Sequence, residues 1–206
     1  MVRRVDLGAP SGWPAVVAEA VAALRRNEVV VLPAEGLYGY HVRADRPAAL
    51  EALQRLKPRE PGRGWILLLP DAVPPEPPSP WSITFSPRAS ALAAAHWPGP
   101  LTMVLPAPPG MPPDLMAADG TVAVRCPGSE FLRAVIAAAE VPLVTTSANR
   151  PGGAAPARFE DCLLDGVALG IDAGPLPGLP STVIRVDGSV VRVLRSGAVT
   201  VEGEAP

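Results

Sequence analysis

Three basic side chains crowd one short turn, Lys57-Pro58-Arg59, with Arg63 close behind. Guanidinium forks match phosphate oxygens in pairs and a lysine ammonium acts as a point charge, so this grouping suits the neutralisation of a polyphosphate. Such a site would assist nucleotidyl transfer electrostatically. The same cations also stand at the end of a helical pattern, where the negative end of the helix dipole attracts them without any ligand. A second grouping, Thr145-Thr146-Ser147-Ala148-Asn149 followed by Arg150-Pro151-Gly152-Gly153, leaves a strand pattern. In open α/β sheets ligands bind at loops leaving the carboxyl ends of strands, and hydroxyls, an amide and free backbone donors suit a phosphate or nucleotide. Ser, Thr, Asn and Gly are equally ordinary turn formers. Arg125 ends the apolar run Thr121-Val122-Ala123-Val124. A half-buried arginine needs an anion, either a protein carboxylate or a substrate carboxylate. Ser181-Thr182 after Pro180, and Arg195 before Ser196-Gly197, pose the same choice.

Other polar residues read as structural. Glu35 and Tyr38 are expected to be a solvated and a packing residue of one loop, His41 a hydrogen-bonding structural residue, and His96 a helix-end residue. The sequence shows no Ser-His-Asp order, nucleophile elbow, Walker lysine or Gly-rich dinucleotide loop. Cys126 and Cys162 lack metal-ligand spacing, and the two histidines are far apart, which argues against a protein-built metal site. Any magnesium is expected to arrive on the phosphates of a nucleotide.

These residues need elements to hold them. Helical spacing runs over Pro14–Arg26, Pro47–Leu56, Pro87–His96 and Ser129–Ala139. Strand patterns are Val29–Leu32, Gly64–Leu69, Leu101–Leu105, Thr121–Arg125, Leu143–Thr146, Val167–Ile171, Thr182–Val186 and Val190–Leu194, the last two joined by the hairpin signal Asp187-Gly188. Ala34–Gly39 reads as a loop, and the Pro-dense stretch Asp71–Pro80 as a surface excursion. Strands alternating with helices and closed by a hairpin predict an α/β fold with a twisted mixed sheet, parallel and antiparallel, flanked by helices. Residues 1–206 are expected to form one domain with its core over about 14–197. With 48% apolar residues and a mean hydropathy of +0.24, the apolar runs still break well short of a membrane span. The start shows no secretory pattern, so a soluble, cytoplasmic protein is expected. A net charge of −2 advertises no global nucleic-acid field, although a local basic cleft can hide within a near-neutral total.

The order of the motifs is more specific than any one of them. PAEGLYG, LKPRE, RGWILLL, HWPGPLTMVLPAP, TVAVRCP, PLVTTSANRPGG, IDAGPLPGLPSTVIRV and VLRSG follow one another from about Val29 to Gly197. In that order they resemble the YrdC/TsaC family of threonylcarbamoyl-AMP synthases. The resemblance implies a YrdC-like domain with a basic concave cleft. It further implies a nucleotidyltransferase that makes threonylcarbamoyl-AMP and pyrophosphate from L-threonine, bicarbonate and ATP, with Mg2+ carried on the ATP phosphates. The product would serve tRNA threonylcarbamoyladenosine modification through a downstream transferase complex, and a double-stranded RNA or tRNA contact is also implied. Carried over by position, Arg59, Arg63, Thr121, Ser147, Asn149 and Arg195 would contact ATP. Lys57 and Arg59 would be catalytic through charge at the phosphates, and Arg125, Thr145 and Ser181 would hold threonine. The chain departs from the family pattern at Ala34 and Gly36, where two hydroxyls are usual, and at Leu68, where longer members often have histidine. Gly39-Tyr40-His41 is instead similar to the YrdC-like domain of the carbamoyltransferase HypF. These departures leave two alternatives, a carbamoyl-adenylate enzyme with another acceptor or donor, and an RNA-binding or inactive YrdC-like paralogue.

Overall fold

The computed structural model describes residues 2–60, 62–71 and 79–203, and most of the Pro-dense excursion expected at 71–80 lies outside them. Ten strands form one sheet: β1 (Arg3–Asp6), β2 (Val30–Pro33), β3 (Tyr38–Arg43), β4 (Ile66–Leu68), β5 (Leu101–Pro106), β6 (Thr121–Arg125), β7 (Leu143–Ser147), β8 (Leu169–Asp172), β9 (Thr182–Asp187) and β10 (Val190–Arg195). Their order is β1-β8-β2-β3-β7-β4-β6-β5-β9-β10. Four pairs, β1/β8, β2/β8, β4/β6 and β5/β9, are parallel and the other five antiparallel, so the sheet is mixed, as expected. Helices α1 (Trp13–Arg25), α2 (Pro47–Leu56), α3 (Pro87–His96) and α4 (Glu130–Ala139) lie within a residue of their expected bounds. Proline occupies the first turn of α1, α2 and α3, where its missing N–H costs nothing. Ser86 and Ser129 cap α3 and α4 through hydroxyls that accept from Ala89 N and Leu132 N, each at 3.2 Å.

Two strands were not expected. β3 starts inside the stretch read as a loop, at Tyr38, and pairs antiparallel with β2 across a turn closed by Ala34 N donating to Leu37 O at 3.0 Å. It carries no apolar/polar alternation because all six of its residues are buried. β1 is charged and largely exposed, and pairing with β8 holds it in place.

The two faces of the sheet are covered unequally. One face buries Val31, Tyr40, Val42, Leu67, Met103, Val124 and Ile184 with Leu50 and Leu53 of α2 and Leu92 of α3. The other face buries Val30, Leu32, Leu68, Leu143, Leu169 and Ile171 beneath Ala20, Val21 and Leu24 of α1 and Phe131, Leu132, Val135 and Ile136 of α4. Each of these larger aliphatic side chains stabilises the fold by about 1.5–3 kcal/mol relative to exposure. On this second face Leu143 and Leu68 are the last fully buried residues of β7 and β4; beyond them Ile66 is only partly buried and Thr145 and Ser147 are polar, and Arg125 of β6 is in register with Leu68.

Candidate functional site

Paired residues of neighbouring strands point to the same face. Gly39 pairs with Ser147, His41 with Thr145, Thr145 with Ile66, Ile66 with Ala123, and Leu68 with Arg125. The uncovered part of the face beside α1 and α4 therefore has a floor of Gly39, His41, Thr145, Ser147 and Ile66, bordered by Arg125. Walls rise from the turn after α2 (Lys57 to Glu60, and Arg63), the loop after β7 (Asn149 to Gly153), Pro180–Ser181 before β9 and Arg195 at the end of β10. The resulting cleft has a volume of about 540 Å³ and is lined by five cationic side chains, Lys57, Arg59, Arg63, Arg125 and Arg195, and one carboxylate, Glu60.

Lys57 is buried and reaches across to the loop after β7. Its ammonium donates to Ser147 O at 3.2 Å, Asn149 O at 2.6 Å and Asn149 Oδ1 at 2.6 Å. Burial first, and then the neighbouring Arg59 charge, lowers its pKa. All three of its donors are engaged, so Lys57 fixes the Thr-Ser-Asn turn instead of presenting a free ammonium to the cleft. Ser147 Oγ donates to the same Asn149 Oδ1, and Asn149 Nδ2 donates to Gly153 O, which closes the loop on itself. Arg59 lies over the Trp65 ring, 4.4 Å from its centroid, and donates from Nη1 to Gly64 O at 2.9 Å. Burial and the Arg63 charge lower the Arg59 pKa. On the opposite wall Arg195 donates to Ser181 O at 2.8 Å and Ser181 Oγ at 3.1 Å. Burial, followed by the charges of Arg125 and Arg63, lowers its pKa. Arginines keep their charge through such shifts, and the mutual repulsion shows that their positive ends converge.

Arg125 finds its anion within the protein. It forms an ion pair with Glu35 and donates from Nε to Gly99 O at 3.1 Å. Glu35 also accepts from Gly128 N at 2.9 Å, while its Oε2 is buried without a partner. The expectation of a solvated Glu35 is thus corrected, because the first loop folds back onto the end of β6. His41 is a floor residue with 1% exposure, its Nε2 lying 3.1 Å from Thr145 Oγ1 and its Nδ1 buried without a partner. Burial above all, with the Arg125 charge adding to it, pushes its pKa down to about 3 and keeps the ring neutral.

Nine of the ten residues singled out in the sequence line this one cleft: Lys57, Arg59, Arg63, Arg125, Thr145, Ser147, Asn149, Ser181 and Arg195. Thr121 does not. It sits on the same face at the far end of β6, and its hydroxyl is bonded to Asp119 Oδ1 at 2.6 Å. Leu68 does not face the cleft either; it is 2% exposed and packs with the α1 and α4 residues, so no pocket group is missing at that position. Ala34 lines the cleft, whereas Gly36 is covered by the backbone of Leu179. Sequence reasoning missed His41 and Gly39 as floor residues, and a strand reading of Tyr38–Arg43 would have found them through period-two spacing.

Fold and cleft together define a class, a mixed-sheet α/β domain whose one uncovered face gathers arginines around a Ser-Asn loop. The sequence model of the Sua5/YciO/YrdC family, described as telomere recombination, matches residues 22–197, and the chain belongs to that family. It is 34% identical over 194 residues to the threonylcarbamoyl-AMP synthase of Bacillus subtilis, covering 90% of this chain and 54% of that protein. It is 36% identical over 185 residues to the threonylcarbamoyl-AMP synthase of Alkalilimnicola ehrlichii, covering 89% of this chain and 93% of that one. Among solved structures it is similar to P. abyssi Sua5 complexed with L-threonine, with a TM-score of 0.81 and 26% identity over 96% of this chain and 57% of that chain. The chain thus spans about half the length of some of its relatives. A HypF structure, at 18% identity and a TM-score of 0.73, shares the fold.

Proposed function

We propose that this protein forms threonylcarbamoyl-AMP from L-threonine, bicarbonate and ATP, releasing pyrophosphate. The convergence of four arginines and the Lys57-braced Ser147–Asn149 loop on one cleft carries this reading. The threonine amine and bicarbonate condense to a carbamate with loss of water. A carbamate oxygen then attacks the α-phosphorus, and the bond to the β-phosphate oxygen breaks with its electrons leaving on pyrophosphate. Arg59, Arg63 and Arg195 bind and neutralise the polyphosphate, and the Ser147 and Asn149 turn orients it. Thr145 and Ser181 offer hydroxyls to the amino acid beside the Arg125–Glu35 pair. Magnesium would travel on the phosphates, and among the described residues no group of three or more His, Cys, Asp or Glu side chains stands ready to hold it. The similarity to named synthases, and to a Sua5 crystallised with L-threonine, supports threonine as the acceptor. Supplying the full chain with L-threonine, bicarbonate, magnesium and ATP is expected to release pyrophosphate in proportion to threonine; release indifferent to threonine rejects the assignment.

A second reading keeps the adenylate chemistry and changes the acceptor. It is favoured by the first loop, where Ala34 and Gly36 bring no hydroxyl, and by His41 in the floor. Replacing threonine by serine, or bicarbonate by carbamoyl phosphate, in the same assay separates the two readings. The proposed site of action is the cytoplasm, as part of tRNA modification; among the described residues no helix is long and apolar enough to cross a membrane.

A further inference from the structure

The segment 173–180 runs from β8 to β9 as a strap across the first loop. Ala173 N donates to the Tyr38 hydroxyl at 2.9 Å, Gly174 N to Asp172 Oδ1 at 2.7 Å, Leu176 N to Ala157 O at 2.8 Å and Gly178 N to Gly36 O at 2.9 Å. At Gly36 the approach is close enough that a Cβ would lie 2.1 Å from the Leu179 carbonyl oxygen and 3.2 Å from its carbon. One to two residues further along, at Pro180 and Ser181, a second glycine comes almost as close. A Cβ on Gly197 would lie 2.5 Å from Pro180 O and 2.5 Å from the Ser181 carbonyl carbon, and Ala198 N donates to Pro180 O at 2.9 Å. Both obstacles are backbone atoms, so no change of rotamer could relieve them. Pro180 and Ser181, which follow Leu179 directly and lie against Gly197, form part of the cleft wall. Ser181 Oγ is held there 2.9 Å from Thr102 Oγ1 and 3.1 Å from Arg195 Nη2.

We propose that Gly36 and Gly197 are positioning residues that clamp Pro180–Ser181 into the cleft and thereby set the fit of the amino-acid acceptor, an inference that rests on Ser181 meeting that acceptor. The loss of a side chain at position 36 is, on this view, what lets the strap close down on the acceptor end. The two jaws differ in what else they touch. Gly36 meets the strap backbone, whereas Gly197 follows Arg195 by two residues and shares its hold on Ser181, so its replacement also disturbs the polyphosphate wall.

The test is steady-state pyrophosphate release by the full chain with L-threonine, bicarbonate and magnesium-ATP. Gly36→Ala is expected to raise the KM for threonine about tenfold or more while the KM for ATP stays within about twofold; Gly197→Ala is expected to raise both. Equal changes of both constants in Gly36→Ala, or a fall in kcat alone, overturn the proposal. A crystal structure of Gly36→Ala reads the clamp without turnover: Leu179 and Ser181 should be displaced by about 1 Å, a shift large enough to matter to a bound substrate, and an unmoved Ser181 overturns it. Should Gly36→Ala fail to fold, Gly197→Ala carries both measurements, and an unchanged threonine KM there counts against the clamp. A wild-type protein that ignores threonine strikes the functional reading, and the displacement of Ser181 still decides whether the clamp exists.

Discussion

Arg125 and Glu35 answer each other's charge at the border of the cleft, so neither can be removed alone without consequence. Arg125→Ala leaves a largely buried carboxylate whose Oε2 already lacks a partner, and should cost about 3 kcal/mol. Adding Glu35→Gln to it should restore more than half of that loss, as read by urea denaturation of the single and double variants; an additive double variant would show that the pair is not coupled. His41 makes a second, pH-dependent prediction. Its folded pKa of about 3 lies below the unfolded value near 6.5, so between those values only the unfolded chain takes up the proton. Its contribution is therefore fully present above about pH 6.5 and is lost as pH falls, by up to about 1.4 kcal/mol per pH unit. His41→Gln should flatten the fall in unfolding free energy between pH 7 and pH 5, and an equally steep fall would remove His41 as its source. At this scale the sequence was most legible in which residues it singled out, since Arg59, Arg63 and Arg195 do line one cleft. It was least legible where a partner decides the role: Lys57, expected to act through charge at the phosphates, engages three oxygens of the loop after β7, and Glu35 was expected to be solvated.

The elements place these side chains by leaving a gap. α1 and α4 pack against each other over Leu68 and Leu143, so β7, apolar beneath the helices, turns polar at Thr145, while Arg125 of the neighbouring β6 lies beside Leu68. Helix bounds were readable because proline starts three of the helices and serine caps two. β3 was hidden because it is buried on both faces and interrupted by Gly39 and His41, which a loop would also accept; β1 was hidden because edge strands carry charge. α4 has a particular duty, since the link from Arg125 to its first turn includes Gly128, whose N–H holds Glu35. Arg133 steadies that link by donating to Pro127 O at 2.8 Å and Gly128 O at 2.9 Å. Ser129→Ala removes the cap and should lower stability by about 1 kcal/mol, seen as a lower urea midpoint with an unchanged slope. A midpoint equal to wild type would show that the cap is dispensable.

The whole molecule carries a net charge of −2, yet five of its 18 lysines and arginines line one cleft, so acidic groups outnumber basic ones over the remainder. The positive field is therefore local. A field of that kind attracts a compact polyanion that enters the cleft and gives less purchase to a long one that must also meet a remainder with an acidic excess. ATP and RNA are then expected to differ in a measurable way. Raising the salt concentration should weaken ATP binding moderately, because pairs inside the cleft are partly shielded from the ions that screen exposed charges. Double-stranded RNA, held by the few phosphates that can reach Arg59, Arg63 and Arg195, should bind weakly, lose its affinity over the same range and be displaced by ATP. Fluorescence anisotropy of a labelled RNA duplex, titrated with magnesium-ATP at two salt concentrations, distinguishes the cases. Displacement places both anions on the same arginines, whereas tight RNA binding that ATP leaves untouched would require a second basic surface and would weaken the identification of this cleft as the centre of the molecule's function.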